Sequence, residues 1–175
     1  ALSTLSKKLK SFKPDQIAGM IGDLADLEMI YAFKYFLEKI LGSNNLECRQ
    51  DRTYINPEER INYIFNSSIN KIEEADFILL VGTNPRLEAT ILNARIRKSF
   101  INGGLKIYSI GDAGDLTYPY TNIGSTTSVI KSIVDNSHKI SKEIKNAKKP
   151  MIIIGESALN GKAGQYIFEN FKNFL

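Results

Sequence analysis

The apolar pattern along this chain is clearest between Ile72 and Lys98, which reads IEEADFILLVGTNPRLEATILNARIRK. Phe77–Val81 is a continuous apolar run of strand length, as expected for a parallel strand covered on both faces. Gly82 closes it. Asn84 is a natural helix cap, and Pro85 suits the first helical position, where its missing N–H would have no intrahelical partner. Leu87, Ile91 and Ala94 recur at helical spacing, so one amphipathic helix is expected to run on until Gly103-Gly104 stops it. Arg95, Arg97 and Lys98 load its later turns, where the helix dipole favours cations.

The other segments repeat this grammar. Leu2, Leu5, Leu9 and Phe12 share the face of a short helix that Pro14 stops. Gln16–Gly22 reads as a buried strand. Asp23 or Asp26 then caps a helix carrying Leu27, Ile30, Phe33, Leu37 and Ile40, which ends at Gly42. Leu46–Arg49 is a candidate short strand. Gln50–Glu59 is polar, lacks a period and reads as a long surface loop, a class that is often functional. Ile61, Ile64, Phe65, Ile69 and Ile72 suit one or two short helices. Leu105–Ile110 is the next strand, followed by the irregular stretch 112–124. Ser125 or Thr126 caps a helix carrying Val129, Ile130, Ile133 and Val134, and a lysine-rich helix from about His138 to Lys148 turns Ile140, Ile144 and Ala147 inward. Pro150–Ile154 is a further buried strand, and the last helix, Ala163–Leu175, presents Ile167, Phe168, Phe171 and Phe174.

Four apolar runs close on glycine, at Gly22, Gly82, Gly111 and Gly155, and helices follow three of them promptly. Strand, glycine turn, helix, strand is the pattern of an α/β fold with a doubly wound, mostly parallel sheet and helices on both faces. The spacing has no fixed period, which excludes a solenoid. At 175 residues one domain is the default, with room for two halves.

Charge and composition narrow the function. A formal net charge of +4 with no run of five basic residues argues against nucleic acid as a partner. One cysteine, Cys48, and one histidine, His138, cannot build a zinc or iron–sulfur site within the chain. His138 reads as an exposed polar residue near a helix start. No apolar run reaches membrane-spanning length, so direct membrane insertion is not expected. The chain starts at Ala1 with a helix-like pattern already under way, so it is expected to be a piece of a longer polypeptide.

A helix N-terminus after a glycine turn offers free N–H groups and positive potential, the usual seat of phosphates. Neither G-x-G-x-x-G nor G-x-x-x-x-G-K-[ST] occurs, however, and the GKAG at Gly161 lacks both the first glycine and the hydroxyl residue. Ser157 in GESAL is not a nucleophile elbow. Asp112 and Asp115 flank a turn and are expected to bond their own backbone. Glu73, Glu74 and Asp76 read as a solvated helix end, and Tyr118-Pro119-Tyr120 as rings packed on a turn. No catalytic residue and no metal ligand is expected.

The stretch Glu73–Phe100, EEADFILLVGTNPRLEATILNARIRKSF, resembles the large iron–sulfur subunit of respiratory NADH:quinone oxidoreductase, complex I. More broadly the chain is similar to the molybdopterin oxidoreductases. The broader likeness lies in Glu74-Ala75-Asp76 and Gly82-Thr83-Asn84-Pro85. The narrower one lies in Asn93–Lys98, Asp115–Tyr118 and Lys148–Met151. It runs from about Ile17 to Leu159. The resemblance implies a Rossmann-like, molybdopterin oxidoreductase-type domain, with residues 1–175 a part of it. It implies a parent subunit with 4Fe-4S and 2Fe-2S clusters upstream, receiving electrons from NADH through FMN on a partner subunit and passing them toward quinone. Other subunits of the peripheral arm would be the partners, at the cytoplasmic face of a bacterial inner membrane or on the mitochondrial matrix side.

In molybdopterin enzymes the G-x-N-P loop lies against the pterin nucleotide, which points here to Gly82, Thr83, Asn84 and Pro85 alone. Where those enzymes follow the next strand with an Asp-Pro type turn, this chain has Gly111-Asp112-Ala113-Gly114. The expectation is a vestigial loop in a cofactor-free scaffold. The alternatives are a cofactor-binding part of a true molybdopterin-dependent oxidoreductase, and an unrelated doubly wound nucleotide-binding enzyme.

Overall fold

A computed structural model describes residues 1–22, 24–48 and 52–174. Asp23, one of the two expected caps, lies outside the described residues, as do Arg49 of the candidate strand and Gln50 of the loop. The chain divides into two compact units, Ala1–Arg52 and Thr53–Leu175.

The first unit contains α1 (Leu2–Lys10), β1 (Gly19–Met20), α2 (Leu27–Tyr35) and β2 (Leu46–Glu47). Asp26 caps α2, accepting from the Met29 N–H at 2.7 Å. Beyond Tyr35 the helix widens to a π-helical stretch, Phe36–Leu41, and Gly42 ends it at φ 69°. The expected buried strand Gln16–Gly22 shrinks to two residues paired in parallel with β2. Gln16 belongs to the 3-10 turn Pro14–Gln16, and Met20 is exposed. The apolar faces expected of α1 and α2 are mostly uncovered: Leu2, Leu5, Phe12, Leu27 and Ile40 are exposed, Leu9, Ile30 and Phe33 are half-buried, and of these positions only Leu37 is buried. A two-stranded pair has too little surface to cover them.

The second unit is a parallel sheet in the order β5-β4-β3-β6. Its strands are β3 (Phe77–Val81), β4 (Lys106–Ile110), β5 (Thr121–Asn122) and β6 (Pro150–Ile154). β3 is central and buried at every residue. Alternation splits its side chains. Ile78 and Leu80 join Ile72, Ile96, Ile107 and Leu116 on one face. Phe77, Leu79 and Val81 join Ile130, Ile133, Ile140, Ile144, Ile167 and Phe171 on the other. Helices therefore cover both faces, as the sequence predicts. One is α4 (Thr90–Asn102); opposite lie α5 (Thr127–Val134), α6 (Lys139–Asn146) and α8 (Gly164–Phe174). Apart from the short pieces Arg60–Asn62 and Ile69–Glu74, the segment 53–76 is irregular. Thr53 is buried, and the Tyr54 N–H donates to the Leu159 carbonyl, so the expected surface loop is partly anchored.

Two expectations about the central helix fail. It breaks at Ala89 (φ −150°, ψ 70°) into α3 (Pro85–Glu88) and α4. Leu87 and Ile91 face solvent at 78% and 67% exposure, while Asn93, Ile96 and Ser99 are buried. Just before the break the Glu88 carboxylate turns back to the helix start, accepting from Thr83 Oγ1 at 2.8 Å and from the Asn84 N–H at 2.7 Å. β6 is half-buried rather than buried, because it lies at the sheet edge.

Candidate functional site

Sheets of this kind bind ligands beyond the carboxyl ends of their strands, where the strand order reverses. That point lies between β3 and β6: the chain leaves β3 for β4 on one side and returns at β6 on the other. Three glycine turns meet there. The Gly82 N–H donates to the Ile110 carbonyl and the Gly155 N–H to the Val81 carbonyl, each at 2.9 Å, extending the ladders by one rung. Gly82 has φ 53°, which favours glycine.

The crevice between these turns is filled by the protein itself. α7 (Glu156–Leu159) follows Gly155. A Cβ placed on Gly82 would lie 2.7 Å from the Ala158 Cβ, and one on Gly155 would overlap the Thr83 Cβ. Ser157 Oγ donates to the Gly82 carbonyl. The remaining cavity measures 230 Å³, with Gly82, Gly111, Thr126, Ser157 and Asn160 in its lining. Pockets that hold nucleotides or drug-sized ligands measure roughly 300–1,000 Å³.

The loop carried over by resemblance is equally self-contained. Thr83 donates its hydroxyl, and Asn84 its N–H, to Glu88. Asn84 Oδ1 accepts from the N–H groups of Arg86 and Leu87, capping α3 as expected. Pro85 is buried at the first helical position. These residues do not fit a pterin nucleotide: the groups that would address one are bonded to each other, and Ala158 stands on the turn. Among the described residues no group of three His, Cys, Asp or Glu could hold a metal ion.

The remaining motif residues are joined in pairs across the fold. Glu73 accepts from Arg95 and Lys98, each at 2.6 Å. The Lys98 hydrogen bond, then the charges of Lys98 and Arg95, hold its carboxyl below the ordinary range. Lys149 Nζ reaches Glu74 at 2.5 Å. Asp76 accepts the backbone N–H groups of Lys148 and Lys149 at 2.8 and 2.9 Å, which lowers its carboxyl. Glu73 and Glu74 do close the short helical turn Ile69–Glu74, with Glu74 exposed, and all three carboxylates also tie that end to other parts of the fold.

Asn93 is buried; its Nδ2 donates to the Leu116 carbonyl at 3.1 Å and its Oδ1 accepts from the Tyr118 hydroxyl at 2.7 Å. Burial raises the Tyr118 phenol. As expected, Asp112 and Asp115 bond their own turns, through the N–H groups of Gly114 and Thr117. The Thr117 N–H and then the Arg86 guanidinium lower Asp115. His138 is half-buried, not exposed, and its Nδ1 caps α6 by accepting from the Ile140 N–H at 3.3 Å. Thr126, not Ser125, stands at the start of α5, with no side-chain cap bond. Sequence reasoning missed Asn93, Glu88 and Ala158. Only Asn93 carried a signal, as the one amide on the inward stripe with Ile96 and Ser99.

A family model for molybdopterin oxidoreductases matches residues 1–175. The chain belongs to the molybdopterin oxidoreductase family. It is 37% identical over 95% of its length to an NADH-quinone oxidoreductase subunit of Rickettsia bellii, covering 24% of that protein. It is 39% identical over 89% of its length to the mitochondrial NADH dehydrogenase [ubiquinone] iron-sulfur protein 1 of Solanum tuberosum, covering 21% of it. Over its full length it is 37% identical to the NADH-ubiquinone oxidoreductase 75 kDa subunit of Reclinomonas americana, covering 27%. It thus spans about a quarter of the length of these relatives. No helix among the described residues is long and apolar enough to cross a membrane.

Proposed function

We propose that this chain is a cofactor-free scaffold within the iron–sulfur subunit of an NADH:quinone oxidoreductase. The parent subunit carries 4Fe-4S and 2Fe-2S clusters in its remaining length and relays electrons from NADH, by way of FMN on a partner subunit, toward quinone. This part supports the cluster-bearing region and contacts other subunits of the peripheral arm. Its parent lies on the cytoplasmic face of a bacterial inner membrane, or on the matrix side in a mitochondrion. The identities of 37–39% with complex I subunits support the parent. The observation that carries the cofactor-free reading is the seating of Ala158 and Ser157 on Gly82, where a pterin nucleotide would approach.

The test is to denature the purified full-length subunit, assay the supernatant for a fluorescent pterin, and measure molybdenum by mass spectrometry. Neither is expected above trace. A pterin released in stoichiometric amount would overturn the proposal and make the chain the cofactor-binding part of a molybdopterin-dependent oxidoreductase.

A further inference from the structure

β6 is an edge strand built of one proline and four large apolar residues, all half-exposed. Natural sheet edges are normally blunted by charges, bulges or a covering element. This one carries Pro150 at its start and has the irregular segment 61–67 alongside, which leaves a groove rather than a paired strand. The Gly155 N–H bonds the Val81 carbonyl, and Ile154 is in register with Val81. Bonding residues alternate along a parallel strand. Met151, Ile153 and Gly155 therefore turn their main chain toward β3, and Ile152 and Ile154 turn theirs outward. Among the described residues nothing outside the β3 ladder bonds those outward groups.

A groove runs along this edge, opening into cavities of 190 and 180 Å³ that share Ile61, Asn62, Asn66, Ile152, Ile154 and Phe168 in their linings. Ile61, Ile64 and Phe65 beside it are exposed. Within the groove Asn62 Nδ2 is shielded from solvent and has no hydrogen-bond partner among the described residues. A shielded donor left unpaired is costly, so it marks a missing acceptor.

We propose that the β6 edge takes a fifth strand, supplied by the remainder of the full-length subunit and running along Ile152 and Ile154, with a main-chain carbonyl accepting from Asn62 Nδ2. Outward main-chain groups on alternate residues call for an extended partner, because only a strand offers donors and acceptors at that spacing. Some three quarters of the relatives' length lies outside the stretch this chain matches, ample to supply one. A second copy is disfavoured, since it would bring its own 61–67 segment into the same groove.

Hydrogen exchange of the full-length subunit, alone and in its complex, tests this at single residues. Ile153 bonds β3 and serves as the internal control. Ile152 and Ile154 are expected to be as protected as Ile153 in the isolated monomeric subunit, and Asn62→Asp, which removes the donor, is expected to speed their exchange about tenfold. Protection only in the assembled complex would assign the strand to another subunit, and protection only at dimerising concentrations to a second copy. Fast exchange at Ile152 and Ile154 with Ile153 protected would leave the edge open. Each of these overturns the proposal, as does an unchanged rate in Asn62→Asp. None depends on the pterin assay.

Discussion

Asn93 on α4 holds both ends of one turn: its amide nitrogen bonds the Leu116 carbonyl and its oxygen receives the Tyr118 hydroxyl. Between them Thr117, a β-branched residue, sits at φ 69°, a conformation such residues rarely adopt. The turn closes a parallel β4–β5 connection that contains no helix. Asn93→Leu removes both bonds and strands a buried hydroxyl and carbonyl. It is expected to cost about 2–4 kcal/mol in denaturant unfolding. Tyr118→Phe, which leaves only part of the amide unpaired, is expected to cost about 1 kcal/mol. The two effects should fall short of additive in the double variant.

Gly155 and Gly22 separate close packing from mere flexibility. A Cβ on Gly155 would meet the Gly82 carbonyl oxygen at 2.5 Å, and backbone cannot step aside. Gly155→Ala is expected to destabilise the second unit by about 2–3 kcal/mol or more. Gly22→Ala meets nothing within 4 Å and is expected to stay within about 0.5 kcal/mol. Equal losses in thermal melts of the two variants would contradict this packing.

Asp76 contributes to acid stability through two main-chain donors. Its folded carboxyl lies below the ordinary value because two backbone N–H groups donate to it. A depressed carboxyl stabilises the fold above the unfolded value of about 3.9 and loses that contribution as pH falls through the lower, folded one. Stability should therefore decline below about pH 4, with Glu73, Asp115 and Glu143 adding to the fall, since each is also lowered by its partners. Asp76→Asn should be less stable near neutrality and show a shallower acid limb in unfolding measured from about pH 6 to about pH 2.

The filled crevice predicts an absence of binding. Isothermal titration with a simple dinucleotide is expected to give no saturable heat. A one-to-one isotherm that Ser157→Ala perturbs would restore the reading of an ordinary nucleotide-binding sheet.

The strands were legible where burial alone writes them. Phe77–Val81 and the run ending at Ile110 are apolar because both sheet faces are covered. β5 was not legible, because Thr121 and Asn122 are polar and exposed and are strand only by pairing with Tyr108 and Ser109. The face of α4 was misread for a related reason. Leu87 and Ile91 have the right period for one continuous helix, but the chain breaks at Ala89 between them, so the two do not share a face of α4. Asn93 can be buried because a hydroxyl 25 residues away donates to its Oδ1. In the first unit, apolar spacing named faces that the unit alone covers fully only at Leu37. The site was half legible: the glycine turns could be read, but Ala158 filling them could not.

The register of β3 also fixes an order of assembly. Phe77 is paired with Lys106 on one side and with Pro150 on the other. The β3–β4 unit can close early in synthesis, because only α3 and α4 separate its strands. The other side of the central strand must wait until α5, α6 and then β6 have been made, and long-range parallel pairing is the slow kind. Until then Leu79 and Val81 present to the cell an open strand edge of apolar side chains and unpaired main-chain groups. A chaperone that shields extended apolar segments should therefore engage nascent chains ending between Ile110 and Pro150, and release them once Ile154 has emerged.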